Sequence, residues 1–136
     1  MLVVLDAEIL VSGLLANSAP PGQILDAWRN RRFGLVACVD LVEEFKRVCA
    51  YPKLAPYILP GDVGTMVNRL NGAERWLVAL PRVELSVDTD DNYLLAMALA
   101  SAADYLVSGD GAGLLQLRSQ GRTQIVTART FVLNLK

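Results

Sequence analysis

The sequence predicts an α/β fold in which helices cover a central parallel sheet of four or five strands. Short apolar runs rich in β-branched residues, such as residues 2–5, are typical of strands that are buried on both faces of such a sheet. Amphipathic segments of helical length separate these runs, and this alternation is typical of parallel sheets. Since no linker, repeat or low-complexity segment interrupts the pattern, we expect residues 1–136 to form one domain.

The first part of the chain contains two predicted strands. The predicted elements are a strand over residues 1–5, a helix over 8–15, a turn over 17–22, an amphipathic helix around 24–28 and a strand over 35–39. Residues 40–43 then resemble an acidic variant of the capping box, which predicts a helix that ends near residue 50, before Pro52.

The rest of the chain continues the alternation. The predicted elements are a turn or broken helix over residues 53–60, helices over 61–78 and 92–102, a strand over 105–107, a turn over 108–111, a short helix around 114–117, a strand over 124–126 and a final helix opened by Thr127.

Composition excludes several classes of site. The chain has no histidine, which removes serine and cysteine triads, imidazole bases and most zinc sites. Its two cysteines, Cys38 and Cys49, stand in apolar surroundings and are expected to be buried thiols. The formal net charge of −1 argues against a protein that coats nucleic acid, although it does not exclude a nuclease. The longest apolar run, residues 93–100, is too short to span a bilayer, and no secretory signal is recognisable, so a cytoplasmic location is expected.

Two aspartates stand where predicted strands end. Asp6 closes the first strand, and Asp110 follows the strand over 105–107 after a step that contains a glycine. Ligands of open parallel sheets bind outside the carboxyl ends of strands, where the strand order reverses. If these two strands are neighbours, both carboxylates face one crevice. Taken alone, Asp6 also suits a helix N-cap, and Asp110 an ordinary turn.

Helical spacing selects two further carboxylates. Asp91 lies in register with apolar residues of the predicted helix over 92–102, so its side chain emerges on the core side. On the helix that follows residue 40, the angular spacing of about 100° per residue places Glu44 at the border of the apolar face and Glu43 in solvent. Both candidates also suit ordinary helix carboxylates.

Carboxylates that converge on one crevice repel one another unless a cation lies among them. Mg²⁺ and Mn²⁺ prefer oxygen ligands, polarise phosphoryl oxygens and lower the pKa of a bound water. The acidic residues therefore favour phosphodiester hydrolysis that depends on a divalent metal and needs no histidine.

The chain resembles the PIN-domain family, especially the VapC-like toxins of toxin–antitoxin systems. The resemblance rests on residues 2–12 (LVVLDAEILVS), 43–48 (EEFKRV), 88–98 (DTDDNYLLAMA) and 103–110 (ADYLVSGD). It implies a three-layer α/β/α endoribonuclease that is inhibited by a small antitoxin protein. Carried over by position, the acidic set comprises Asp6, Glu44, Asp91 and Asp110. Asp6, Asp91 and Asp110 would then bind Mg²⁺ or Mn²⁺, and Glu44 would bind metal or position the attacking water.

The chain departs from the pattern of this family at two places. Ala7 replaces the usual threonine and Glu8 the usual asparagine, and Glu8 could join the metal ligands from its position. Residues 111–113 follow Asp110 where many relatives have another acidic residue, so this part of the site is expected to have fewer acidic side chains.

Partners are suggested by charge and hydrophobicity. Arg32, Lys46 and Arg47 could follow the phosphate backbone of an RNA substrate, or they could be ordinary charges near the ends of helices. A hydrophobic content of 53% makes a homodimer plausible.

Two other functions remain open from the sequence. A PIN-like domain that has lost catalysis could bind RNA or protein, which the substitutions Ala7 and Glu8 favour. More distantly, residues 6–8 could be a distorted aspartyl-phosphate loop of a phosphatase.

Overall fold

The computed structural model describes residues 1–84, 91–109 and 113–135. Within these residues, the strands are β1 (Leu2–Leu5), β2 (Gly34–Cys38), β3 (Arg75–Leu77), β4 (Tyr105–Val107), β5 (Ser119–Gln120) and β6 (Thr123–Val126). The helices are α1 (Ala7–Leu15), α2 (Pro20–Arg29), α3 (Val39–Cys49), α4 (Pro60–Asn71), α5 (Asn92–Ser101), α6 (Leu114–Leu117) and α7 (Ala128–Leu135), with a 3₁₀ turn at Ala55–Tyr57.

The described strands form one sheet in the order β3-β2-β1-β4-β6-β5, and helices flank it. All neighbouring pairs are parallel except β5 with β6. The predicted α/β fold with a central parallel sheet is therefore confirmed. Five of the six described strands are parallel, which agrees with the predicted four or five, and the sixth, β5, is antiparallel. The positions of β3 and β5 were not predicted, because strands of three and two residues are too short to show a periodicity.

The chain order reverses between β1 and β4. From β1 the chain continues to β2 on one side, and it returns to β4 on the other side only after β3 and α5. Leu5 pairs with Val107 at the carboxyl ends of the two strands. The structure thus confirms that the strands preceding Asp6 and Asp110 are neighbours, and it places a crevice of the kind that binds ligands at this edge.

The apolar run at the start of the chain lies at the centre of the core. Val3, Val4 and Leu5 are fully buried, as expected for a strand covered on both faces. Cys38 and Cys49 are buried and free, which confirms the prediction made from their apolar surroundings. None of the helices among the described residues is long and apolar enough to cross a bilayer.

Several helix ends differ from the predictions. The turn expected over residues 17–22 is partly helical, because proline is favoured in the first turn and α2 begins at Pro20. The capping box at residues 40–43 is not formed, since α3 begins at Val39 and Cys38 precedes it without a side-chain cap. The predicted opening of the last helix is confirmed, because the Thr130 N–H donates to Thr127 Oγ1 at 3.1 Å.

Helices α1 and α2 approach each other closely at Gly13. A Cβ atom at this position would lie 2.4 Å from Leu25 Cδ1, and Leu25 is buried. The contact therefore depends on the missing side chain of glycine. It fixes α1, whose first turn carries residues of the crevice, against its neighbour.

Candidate functional site

Asp6 lies at the switch point of the sheet and joins β1 to β4. Its backbone N–H donates to the Val107 carbonyl at 3.0 Å, and the Ser108 hydroxyl donates to its Oδ2 at 3.3 Å. Its Oδ1 accepts the Glu8 N–H at 3.2 Å, so Asp6 also caps α1. The sequence suggests Asp6 both as a site carboxylate and as a helix N-cap. The two interpretations are compatible, because one carboxylate oxygen caps the helix and the other faces β4.

The charge of Asp6 is destabilised by its surroundings. The pKa of Asp6 is raised from 3.8 to about 6, and burial is the largest cause. The negative charges of Glu8 and Asp91 contribute to this increase, whereas the hydrogen bonds from Glu8 N–H and Ser108 oppose it. A carboxylate with a pKa raised in this way is typical of functional sites.

Asp91 is the second carboxylate at this edge. It immediately precedes α5, is half-buried, and does not cap the helix with its side chain. Since its charge raises the pKa of Asp6, the two carboxylates lie near each other. The sequence predicts Asp91 on the core side of the helix, and in the structure its side chain is half-buried.

Glu44 lies on α3, which begins at the same edge of the sheet. Its side chain is 23% exposed, and Arg47 holds it through two hydrogen bonds, Nε to Oε1 at 2.6 Å and Nη2 to Oε2 at 2.8 Å. Glu43 is exposed, as the helical angles predict. This paired geometry fixes the orientation of the Glu44 carboxylate.

A cleft of about 470 Å³ opens beside Glu44, and we call it the α3 cleft. It is lined by Val39, Asp40, Glu43, Glu44, Arg47 and Tyr93. The Tyr93 hydroxyl is buried and has no hydrogen-bond partner among the described residues. Burial raises the pKa of Tyr93, and so do the charges of Asp6, Glu44, Cys38 and Asp91, in decreasing order. Tyr93 therefore lies within the field of three of the four predicted site carboxylates.

The fourth predicted carboxylate, Asp110, lies outside the described residues. Within residues 1–84, 91–109 and 113–135, no group of three acidic or cysteine side chains converges on one point as a complete metal site would. The donor chemistry of Asp6 and Asp91 nevertheless fits a hard divalent cation, because Mg²⁺ is commonly held by one or two carboxylates and completes its shell with water and phosphate oxygens.

The predicted basic residues lie in two different places. Lys46 and Arg47 are exposed on α3, and Arg47 lines the α3 cleft. Arg32 precedes β2, so it lies at the amino edge of the parallel sheet, and its guanidinium donates to the Leu135 carbonyl. The structure does not bring Arg32 to the carboxylates.

A second cleft of about 310 Å³ opens beside residues that follow β1, β4 and β6, and we call it the α7 cleft. It is lined by Glu8, Ile9, Ser12, Pro20, Pro21, Gly109, Thr127, Ala128 and Arg129. The sequence patterns did not indicate Ser12 or Arg129. Arg129 could have been selected from its position just after the strand over 124–126, because that strand ends at the same edge of the sheet as β1.

The comparison with protein families matches residues 2–112 to the PIN domain. This chain belongs to the PIN-domain family. PIN domains are generally nucleases, and they typically use divalent metals. No curated protein and no solved structure matches the chain.

The match to the PIN domain covers all the predicted site carboxylates and ends before α7. The resemblance to this family that the sequence suggested is thus confirmed over most of the chain. The α7 cleft draws Thr127 and Arg129 from beyond the matched segment.

Proposed function

We propose that this PIN domain is an endoribonuclease that hydrolyses phosphodiester bonds of RNA with the help of Mg²⁺ or Mn²⁺. The observation that carries the proposal is the Asp6 carboxylate, which is buried at the switch point beside Asp91 and has a pKa raised to about 6. A buried carboxylate near like charges is costly in a free protein, and a bound cation removes that cost.

Asp6 and Asp91 would hold the metal ion, and the expected further ligands are Asp110, Glu44 and Glu8. When bound, such an ion lowers the pKa of a water ligand and polarises a phosphoryl oxygen. The hydrogen bonds from Ser108 and from Glu8 N–H orient the Asp6 carboxylate. Arg47 orients Glu44 in the same way, which suits a residue that positions the attacking water.

The basic side chains near the α3 cleft suit contacts with RNA. Lys46 is exposed on α3 and would neutralise a phosphate of the substrate, and Arg47, whose charge is paired with Glu44, would donate a hydrogen bond to another. Arg32 is not part of this proposal, because it lies at the opposite edge of the sheet.

We further propose a biological role as the toxin of a toxin–antitoxin pair in the cytoplasm, inhibited by a small antitoxin and acting as a homodimer. The similarity to the VapC-like pattern supports this role. Purification after co-expression with the product of a short adjacent reading frame tests the antitoxin, and sedimentation equilibrium tests the dimer. An absence of any such complex, together with a monomeric protein, would contradict this role while leaving the nuclease proposal intact.

The test of the nuclease is cleavage of single-stranded RNA by purified protein with Mn²⁺. We expect cleavage that EDTA stops and that Asp6→Asn abolishes. Asp26→Asn is the matched control, because Asp26 is exposed on α2 and pairs only locally with Arg29. Undiminished cleavage by Asp6→Asn would show that the activity does not arise at this site.

A second candidate function is a PIN-like domain that binds RNA or protein without catalysis. Ala7 is fully buried where the family usually has threonine, and the described residues lack a three-donor metal group. Calorimetry with Mn²⁺ separates the two candidates. Binding that Asp6→Asn removes supports the nuclease, whereas no binding by the unmodified protein supports the binding domain.

A further inference from the structure

We propose that the α7 cleft binds a nucleotide of single-stranded RNA next to the scissile bond, with Arg129 contacting its phosphate. The proposal rests on the proposed nuclease function, and it adds a substrate site and a path for the strand. Neither the family match, which ends at residue 112, nor the predicted basic residues include Arg129.

The sheet topology places four features along one edge. Helix α3 follows β2, Asp6 follows β1, Ser108 follows β4 and α7 follows β6, and these four strands are parallel neighbours in that order. The α3 cleft and the α7 cleft therefore lie on opposite sides of Asp6. An extended strand that passes over Asp6 would enter one cleft and leave through the other.

The lining of the α7 cleft combines the groups that a nucleotide requires. Pro20 and Pro21 at the start of α2 offer apolar surface for a base or ribose. Arg129 makes no ion pair with any described acidic residue, so its guanidinium is available for a phosphate. Ser12 is exposed in the same cleft and adds a hydroxyl that can donate or accept.

Glu8 connects the α7 cleft to Asp6. Glu8 lines the cleft, and its backbone N–H donates to Asp6 Oδ1 at 3.2 Å. Gly109, which follows Ser108, forms another part of the wall. The negative charge of Glu8 repels a phosphate at this end of the cleft. We therefore expect Arg129, on α7, to be the group that binds the phosphate.

Binding without chemistry tests the cleft. The affinity of a fluorescent single-stranded oligoribonucleotide is measured by anisotropy in EDTA, in an Asp6→Asn background that also lowers the negative charge of the site. We expect Arg129→Ala to weaken binding roughly tenfold. We also expect the slope of log K against log salt concentration to become shallower by about 0.7, the value for one phosphate contact to a single strand.

Arg129→Lys and Arg75→Ala are the matched controls. The lysine variant keeps the charge and should keep most of the salt slope. Arg75 is exposed on β3 at the amino end of that strand, and its removal should leave both affinity and slope unchanged.

The outcomes separate this proposal from the nuclease proposal. The proposed nucleotide site is overturned if Arg129→Ala and its parent bind RNA with the same affinity and the same salt slope. It is also overturned if the parent binds no RNA at low salt. If Arg129→Ala weakens RNA binding as expected but the unmodified protein cleaves no RNA with Mn²⁺, the nucleotide site is supported and only the nuclease proposal is overturned.

Discussion

Asp6 lowers the stability of the folded protein at neutral pH. Its pKa rises from 3.8 in the unfolded chain to about 6 in the folded one, so the folded state binds its proton more tightly. Stability from this group is therefore fully present below pH 3.8 and is lost as the pH rises through about 6. At 1.36 kcal/mol per unit, the loss is at most about 3 kcal/mol.

Replacing Asp6 should therefore stabilise the protein while it removes activity. We expect Asp6→Asn to increase the free energy of unfolding in EDTA near pH 8 and to have little such effect near pH 4, because the asparagine carries no charge at either pH. Urea denaturation at both pH values measures the difference. The exposed Asp26→Asn variant should show a smaller change in the free energy of unfolding. An equal change in the two variants would argue that burial of Asp6 is not the cause of the stabilisation.

The Tyr93 hydroxyl is a second group that lowers the stability of the fold. It is buried without a partner among the described residues, and an unpaired buried hydroxyl destabilises a fold. We expect Tyr93→Phe to leave the melting temperature unchanged or to raise it, which calorimetric melting measures in metal-free buffer. A clear fall in melting temperature would mean that the hydroxyl has a partner in solution.

Single residues can be predicted from the sequence where local geometry decides their position. Helical angles alone separate Glu44 from Glu43, and the end of a buried run locates Asp6. Tyr93 cannot be selected in this way, because an aromatic residue at helical spacing is usually part of the core. Its surroundings include carboxylates from two other segments, Asp6 and Glu44, which only the tertiary structure brings near it.

At the scale of elements, the contact between α1 and α2 limits what Gly13 can become. We expect Gly13→Ala to destabilise the protein by about 1–3 kcal/mol, because the new methyl group forces the buried Leu25 to move. Gly64 lies in the interior of α4, and no atom lies within 4 Å of the place that a methyl group would take there, so Gly64→Ala should stabilise by about 0.5–1 kcal/mol. Urea denaturation of both variants compares them, and changes of the same sign would contradict the packing argument.

Long elements can be predicted from the sequence, whereas short ones are missed. The three residues of β3 fall at the end of the helix predicted over residues 61–78, although Gly72 directly follows the last helical residue and is a known stop signal. Pairing with β2, rather than any local pattern, makes these residues a strand. The two residues of β5 likewise depend on their antiparallel contact with β6.

At the scale of the whole molecule, a bound cation should stabilise the fold in a way that depends on pH. We expect Mn²⁺ to raise the melting temperature near pH 8 and to have a much smaller effect near pH 5, because Asp6 must lose its proton to act as a ligand. Thermal melts with Mn²⁺ and with EDTA measure this. Asp6→Asn should remove the increase, and an increase that persists in this variant would place the ion elsewhere.

The architecture could be predicted because alternating strands and helices permit few arrangements. The position of Asp6 and Ser108 at one crevice required the strand order, which the sequence does not state. The place of Asp110 in the site stays a prediction, since it lies outside the described residues.

The central place of β1 in the sheet has a consequence for synthesis. Asp6 is translated 102 residues before Ser108, its hydrogen-bond partner. Contacts so distant along the chain form late in folding, and amino-terminal segments emerge first from the ribosome. The crevice is thus assembled only after Ser108 has been translated, and a nascent chain that ends before this residue carries Asp6 without the arrangement that the proposed hydrolysis requires.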